Sequence, residues 1–447
     1  MTQHSGLPAH GRRSRRTTAV AGAAAAVAAM AAGGAALIAR SPGLPRPGDA
    51  TTATAIAVPP AGYPPQMVRR AYGVSPLLRQ GIDGRGETVV LPENDPQPAG
   101  LDTDIRRDLA TFDKRYGLPP ADLTLTLAPG FTGDTSLASG EEVQDAEMVH
   151  TIAPGAKITV MLASLGEFTH PPELARLFRT AAQRGNIVSF SQSECESKAC
   201  LSAGQLRSLD GALRYARDRH VSILASAGDT GAAVGQFLGA GERGVLAPAS
   251  SPLVTGVGGT TLALPRDGAH GSESAWNDDG PHASSTGARL SAGGGGVSAR
   301  YARPGYQQGL PAIGDHRGVP DVAAVAEPGM TTVLVRHGHE QVFGGGGTSE
   351  SAPLWAGIAA LADQAAHRQL GFLNAGLYRI GHSAAYHRAF HDITHGNNTV
   401  TLPSGKDIGG YRARSGWDPV TGWGSPNAQV LVPLLGREVR PGDGRGL

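Results

Sequence analysis

The chain has 447 residues, 39 Lys and Arg against 38 Asp and Glu, and a formal charge of +1 at pH 7. That balance excludes the basic face of a nucleic-acid-binding domain, and no nucleic-acid partner is expected. Charged residues make up 17% and apolar ones 40%, which excludes a disordered chain; 64 glycines in a chain long enough to bury a large core indicate a loop-rich globular protein.

In chain order, Arg12, Arg13, Arg15 and Arg16 come first, followed by an uncharged, alanine-rich run from Thr17 to Ala39 that Arg40 and Pro42 close. A basic cluster before such a run has the layout of an export signal, and Ala53-Thr54-Ala55 supplies small residues near a cleavage point. Residues 1–40 are therefore read as a signal for secretion. The run is also long enough to act as an uncleaved, outward-facing membrane anchor. Residues 41–62, rich in Pro, Ala and Thr, read as a linker or short pro-segment.

From Tyr63 onward, apolar runs alternate with helical patterns. Strands are expected at Glu87–Leu91, Lys157–Leu162, Ile187–Phe190 and Val221–Ala225, with helices near 103–115, 141–152, 171–184 and 204–219. This alternation predicts a mainly parallel sheet with helices on both faces, and ligands at the carboxyl ends of the strands. Residues 280–300 read as a Gly/Ser-rich surface loop, residues 63–435 as one α/β domain, and 436–447 as a tail.

Chemistry concentrates in three places. On a helix of about 3.6 residues per turn, Glu141, Asp145, Met148, Val149 and Ile152 form one stripe, with Glu142, Glu147 and His150 away from its centre. Two carboxyls one turn apart on an apolar stripe share a proton readily. Acids at a helix N-terminus are also ordinary, which accounts for Glu141 better than for Asp145. Asp229 follows an apolar strand in Ala227-Gly228-Asp229-Thr230-Gly231, either as a plain turn or as a carboxyl at the mouth of the sheet. Gly344 to Gly347 deliver Thr348-Ser349-Glu350-Ser351-Ala352-Pro353 to the start of an apolar helix. A serine there is either an N-cap or a nucleophile where a substrate backbone can approach closely. Cys195 and Cys200 lie in a polar loop of an exported chain, so a local disulfide is expected.

Together these segments resemble the sedolisins, the serine-carboxyl peptidases with a subtilisin-like fold. Gly347-Thr348-Ser349-Glu350-Ser351-Ala352-Pro353 is similar to the nucleophile block, Glu141 to Asp145 to the acidic helix, and Ala227 to Gly231 to the loop of the oxyanion aspartate. Pro248-Ala249-Ser250-Ser251-Pro252, Val257-Gly258-Gly259-Thr260, Trp276-Asn277-Asp278, Gly294-Gly295-Gly296-Val297-Ser298 and Gly318-Val319-Pro320-Asp321-Val322 extend the match in family order. The resemblance implies an acid-acting endopeptidase whose substrates are proteins or peptides, and a monomer is expected. In it Ser349 is the nucleophile, Glu141 the general base, Asp145 its partner and Asp229 the protonated oxyanion donor. It also implies one structural Ca²⁺, held by Asp392 and Asp418 with the backbone carbonyls of Ile393, Arg414 and Gly416.

The chain departs from the pattern in three respects. The family's long prodomain has no counterpart between residue 41 and Tyr63, Gln192-Ser193 stands where an aromatic and a glycine are usual, and Leu246 occupies a place where some members carry an acid. Two other functions compete. One is a subtilisin-type Ser-His-Asp protease using His270; the other is a catalytically silent, secreted peptide-binding protein on a peptidase scaffold.

Overall fold

The computed structural model describes residues 62–94, 103–132, 140–164, 171–198, 200–234, 241–278, 290–310 and 313–447. The expected signal and the linker up to residue 61 lie outside the described residues, as does the part of the expected 280–300 loop up to residue 289. Among the described residues, no helix is long and apolar enough to cross a membrane.

Eight strands form the central sheet: β1 (Thr88–Asn94), β2 (Asp122–Leu127), β3 (Lys157–Ala163), β4 (Ile187–Phe190), β5 (Ser222–Ser226), β6 (Thr255–Ala263), β7 (Ser272–Ala275) and β8 (Val322–Glu327). Their order is β7-β6-β5-β4-β1-β3-β2, and β8 also pairs with β6. Every pairing is parallel except β6 with β7. The four strands expected from sequence are β1, β3, β4 and β5, each within a few residues of its predicted ends.

Period-two alternation divides the strand side chains between two cores. Val89 and Leu91 of β1, with Ile158, Val160 and Leu162 of β3, point to one side. There they meet helices α1 (Ile105–Tyr116), α2 (Gly140–Ile152), α5 (Thr348–Ala366) and α6 (Ala428–Glu438). Val90, Met161, Val188 and Phe190 point to the other side, towards α3 (Pro171–Arg184) and α4 (Ala203–Asp218). A sheet covered on both faces needs apolar side chains on both sides of its strands, and β1, β3 and β4 supply them.

Three expectations change. Glu142, Glu147 and His150, placed outside the buried stripe of α2, are buried at 2%, 0% and 0% exposure. The helix is enclosed on all sides because α1, α5 and the hairpin of β9 (Thr331–Arg336) and β10 (His339–Gly344) pack around it. Its outward polar groups find partners in that cover: Glu147 accepts the Val333 N–H, and His150 Nε2 lies 3.0 Å from Asp113 Oδ1. The described end of the 280–300 segment is not surface loop either. Ala292 to Gly296 are buried, and Gly293 and Gly294 lie against the backbones of Gly259 and Ala227. Only glycine permits that approach. At the other end, the expected tail is packed: α6 runs to Glu438, Val439 is buried, and Arg217 donates to Gly444 O at 2.8 Å.

Candidate active site

The carboxyl ends of β1, β4 and β5 converge where the strand order reverses, the place at which open parallel sheets bind ligands. β1 carries Glu93 as its last residue but one, β4 runs into Ser191, and β5 into Ala227-Gly228-Asp229. Opposite them stand the first turns of α2 and α5, which pack against each other and carry Glu141, Asp145 and Ser349.

Local chemistry shapes the start of α5. Its N-cap is Gly347 at φ 80°, a left-handed conformation, and a Cβ there would stand 2.5 Å from Asp229 Oδ2. Glycine is therefore required on both counts. Thr348 locks the aspartate in place: its N–H and Oγ1 both donate to Asp229 Oδ1, at 2.8 and 2.7 Å, and Oγ1 accepts from Gly228 N–H at 3.0 Å. Oδ2, against which Gly347 packs, is the oxygen left without a hydrogen bond among the described residues. The Ser349 N–H, in the first turn, has no acceptor among the described residues. Pro353, four residues on, has no N–H to give the Ser349 carbonyl. Ser191 Oγ lies 3.3 Å from that carbonyl oxygen instead.

Ser349 stands beside Glu141, close enough to act on its carboxyl as a donor, and both side chains are partly exposed. Burial drives the Glu141 carboxyl up to about 7, against the hydrogen bond from Ser349, and the nearby charges of Asp229 and Glu142 add to the rise. The Asp229 contribution vanishes while Asp229 holds its proton, so the two groups titrate as a pair. Asp229 is itself pushed up by burial, against the two donors of Thr348.

Asp145, 0% exposed, is pushed well above the usual carboxyl range by burial and by Glu141. It accepts from Ser191 Oγ at 2.5 Å and stands beside Glu93. Glu93 is 1% exposed and raised by burial, then by Asp145, Glu142 and Glu141. Two facing carboxyls have no donor between them unless one holds a proton, and the Glu93 oxygens and Asp145 Oδ1 are otherwise without partners. A single shared proton closes the pair. Glu93 was not among the sequence candidates. Its only signal was an acid at the carboxyl end of an apolar strand.

His270 is engaged elsewhere, with Nε2 2.8 Å from Glu273 Oε2 and its ring stacked on His391 at 3.5 Å. Cys195 and Cys200 form a disulfide.

The expected calcium residues also converge. Asp392 accepts from Ser415 Oγ and Gly416 N–H at 3.0 and 3.1 Å. Asp418, 0% exposed, is held by the N–H groups of Arg414, Val420 and Thr421. Among the described residues neither carboxylate has a cationic partner, and the carbonyls of Ile393, Arg414 and Gly416 accept no hydrogen bond. Burial pushes Asp418 up to about 6, against its backbone donors. Two carboxylates without a counter-charge and three unengaged carbonyls are the hard oxygen set that suits Ca²⁺.

A family model described as the subtilase family matches residues 132–376. The chain is similar to kumamolisin of Bacillus sp. (strain MN-32), 32% identical over 387 residues, which cover 84% of this chain and 64% of that protein. It is similar to sedolisin of Pseudomonas sp. (strain 101), 31% identical over 252 residues, covering 56% and 40% respectively. Tripeptidyl-peptidase 1 of Homo sapiens is 32% identical over 271 residues, covering 56% and 43%. Thus the chain spans between 40% and 64% of the length of these relatives. Among solved structures, Pseudomonas sedolisin, a serine-carboxyl proteinase complexed with two molecules of pseudo-iodotyrostatin, is similar at a TM-score of 0.70 and 27% identity. That match covers 84% of this chain and 98% of the other.

Proposed function

The chain belongs to the subtilase family, in its sedolisin branch, and on that premise we propose that it is a secreted serine-carboxyl endopeptidase acting on proteins or peptides below neutral pH. The observation that carries the reading is Ser349 standing within reach of the Glu141 carboxyl and next to the Thr348 that holds Asp229, with no acceptor for the Ser349 N–H among the described residues.

In this mechanism Glu141 removes the Ser349 proton as Oγ attacks the scissile carbonyl, then returns it to the leaving amine. The tetrahedral oxyanion accepts hydrogen bonds from protonated Asp229 and from the Ser349 N–H. Asp145, backed by Glu93 and Ser191, holds the charge balance behind the base. Water then takes the place of the amine and releases the acid product. The base must be ionised while Asp229 keeps its proton. Because burial raises both, the working state is one in which the cluster has lost some of its protons but not all.

Asp392 and Asp418, with the carbonyls of Ile393, Arg414 and Gly416, would hold a structural Ca²⁺, which neutralises their charge and ties the 414–418 loop to residues 392–393. Removing calcium with a chelator should lower the melting temperature, and Ca²⁺ rather than Mg²⁺ should restore it.

The decisive assay uses purified wild type and Ser349→Ala against a denatured protein across pH, with calcium present. Wild type should digest it in acid and the variant should not. Equal activity in both, or none in either, would overturn the reading in favour of a silent binding protein. The N-terminal basic and alanine-rich segment supports export, and detection of the chain outside the producing cell tests it.

A further inference from the structure

Glu350 follows the nucleophile directly, and the mechanism above makes no use of it. Its side chain is 0% exposed. Oε1 accepts the Met330 N–H at 2.5 Å, whereas Oε2 is fully buried without a partner among the described residues. That oxygen is wedged between two glycine backbones: a Cβ on Gly329 would stand 2.1 Å from it, and one on Gly345 2.5 Å. The Gly345 carbonyl borders the same Gly329 Cβ position, so Oε2 is enclosed by backbone that leaves no room for a side-chain donor. A negative charge on an oxygen buried there without a donor is costly, and a proton on Oε2 removes that cost.

The segment resting on this carboxyl is the one that delivers Ser349. Gly345 N–H donates to Met330 O at 2.7 Å, and Gly346 is held through both N–H and C=O by Gln144 of α2. The titratable groups facing Glu350 are Glu327 at the end of β8 and Glu141 on α2, both acids. Its place in the first turn of α5 favours an anion through the helix dipole. Burial and the two neighbouring acids outweigh that and push it up to about 8, against the Met330 hydrogen bond.

We propose that Glu350 is a positioning residue that works as a neutral acid. Protonated, it clamps Met330 and the glycine run beneath Ser349; ionised, it sets an uncompensated charge between two glycine backbones and beside the base Glu141. The nucleophile is then held in place in acid and loosened towards alkaline pH. This rests on Ser349 being the nucleophile.

The test compares wild type, Glu350→Gln and Glu350→Ala, with calcium present. Gln keeps shape and neutrality, so kcat at the pH optimum should stay within about threefold, whereas Ala should lower kcat by about tenfold or more with KM little changed. Glu350 has a folded-state pKa above its unfolded value, so its stabilisation is present in acid and lost as pH rises. The melting temperature of wild type should therefore fall relative to the Gln variant between about pH 4 and about pH 8. Melting temperatures that run parallel across that range, or a Gln variant as impaired as the Ala variant, would overturn the proposal. If Ser349→Ala were as active as wild type, the peptidase reading would fail, yet the melting data would still report on Glu350.

Discussion

Glu93 and Glu273 are glutamates with buried side chains on strands of the same sheet, yet they titrate in opposite directions. Burial would raise both. Around Glu273 it is outweighed by donors: His270 Nε2 and Ser425 Oγ reach Oε2, while Tyr72 OH and Thr260 Oγ1 reach Oε1 at 2.7 and 2.8 Å. Its carboxyl is held below the usual range. Around Glu93 the neighbours are Asp145, Glu142 and Glu141, all acids, and its carboxyl is held well above that range. Burial thus makes a carboxyl sensitive, and its neighbours decide whether it becomes a fixed anion or a store of protons. The first kind ties β7 to Thr260 of β6, Tyr72 and Ser425; the second kind is what a carboxylate-based active site needs.

The comparison can be broken or sharpened by substitution. The largest effect is expected for Asp229→Asn, which keeps a hydrogen-bond donor but cannot ionise. Losing the positioned acid should lower kcat by about 10²–10³, while the alkaline limb of the pH–rate profile moves to higher pH. An unchanged alkaline limb would remove Asp229 from the oxyanion role.

Next comes Glu273→Gln. A carboxyl with a depressed folded pKa contributes stability above its unfolded pKa and loses it as pH falls through the folded value. The variant should be less stable by roughly 1–3 kcal/mol near neutral pH, with the gap closing in acid, as denaturant titrations would show. Glu93→Gln should be the smallest and of opposite sign. The raised wild-type carboxyl contributes stability in acid that is lost as pH rises, so the variant should gain up to about 1 kcal/mol towards neutral pH. If both variants shift the pH dependence of stability in the same direction, neighbour chemistry does not govern these sites.

The strand and helix pattern was legible because β1, β3, β4 and β5 are apolar, β-branched runs too short for helices, separated by amphipathic stretches. The positions of Glu141, Asp145, Asp229 and Ser349 were legible as motifs around a glycine run, an acidic helix and a strand end. Glu93 and Glu350 were not. One looks like an acid leaving a strand for solvent, and the other like an acid in a helix's first turn, where the dipole alone would explain it. The burial of Glu142, Glu147 and His150 was missed for a related reason. A helical period reports one apolar face, but here the opposite face is covered by α1 and the β9–β10 hairpin, which lie far from α2 in the chain.

By itself the sequence determined the class of fold, the family, and the run Gly344 to Ser349 as a nucleophile's approach, because these depend on local periodicity and on glycines only a tight turn requires. Tertiary structure alone decided which carboxyls face one another. Glu93 meets Asp145, Asp229 meets Thr348, and Glu350 meets Gly329 and Gly345 across separations that no local pattern encodes. The proton inventory of the site follows from those meetings, since a carboxyl's ionisation is set by what surrounds it in space.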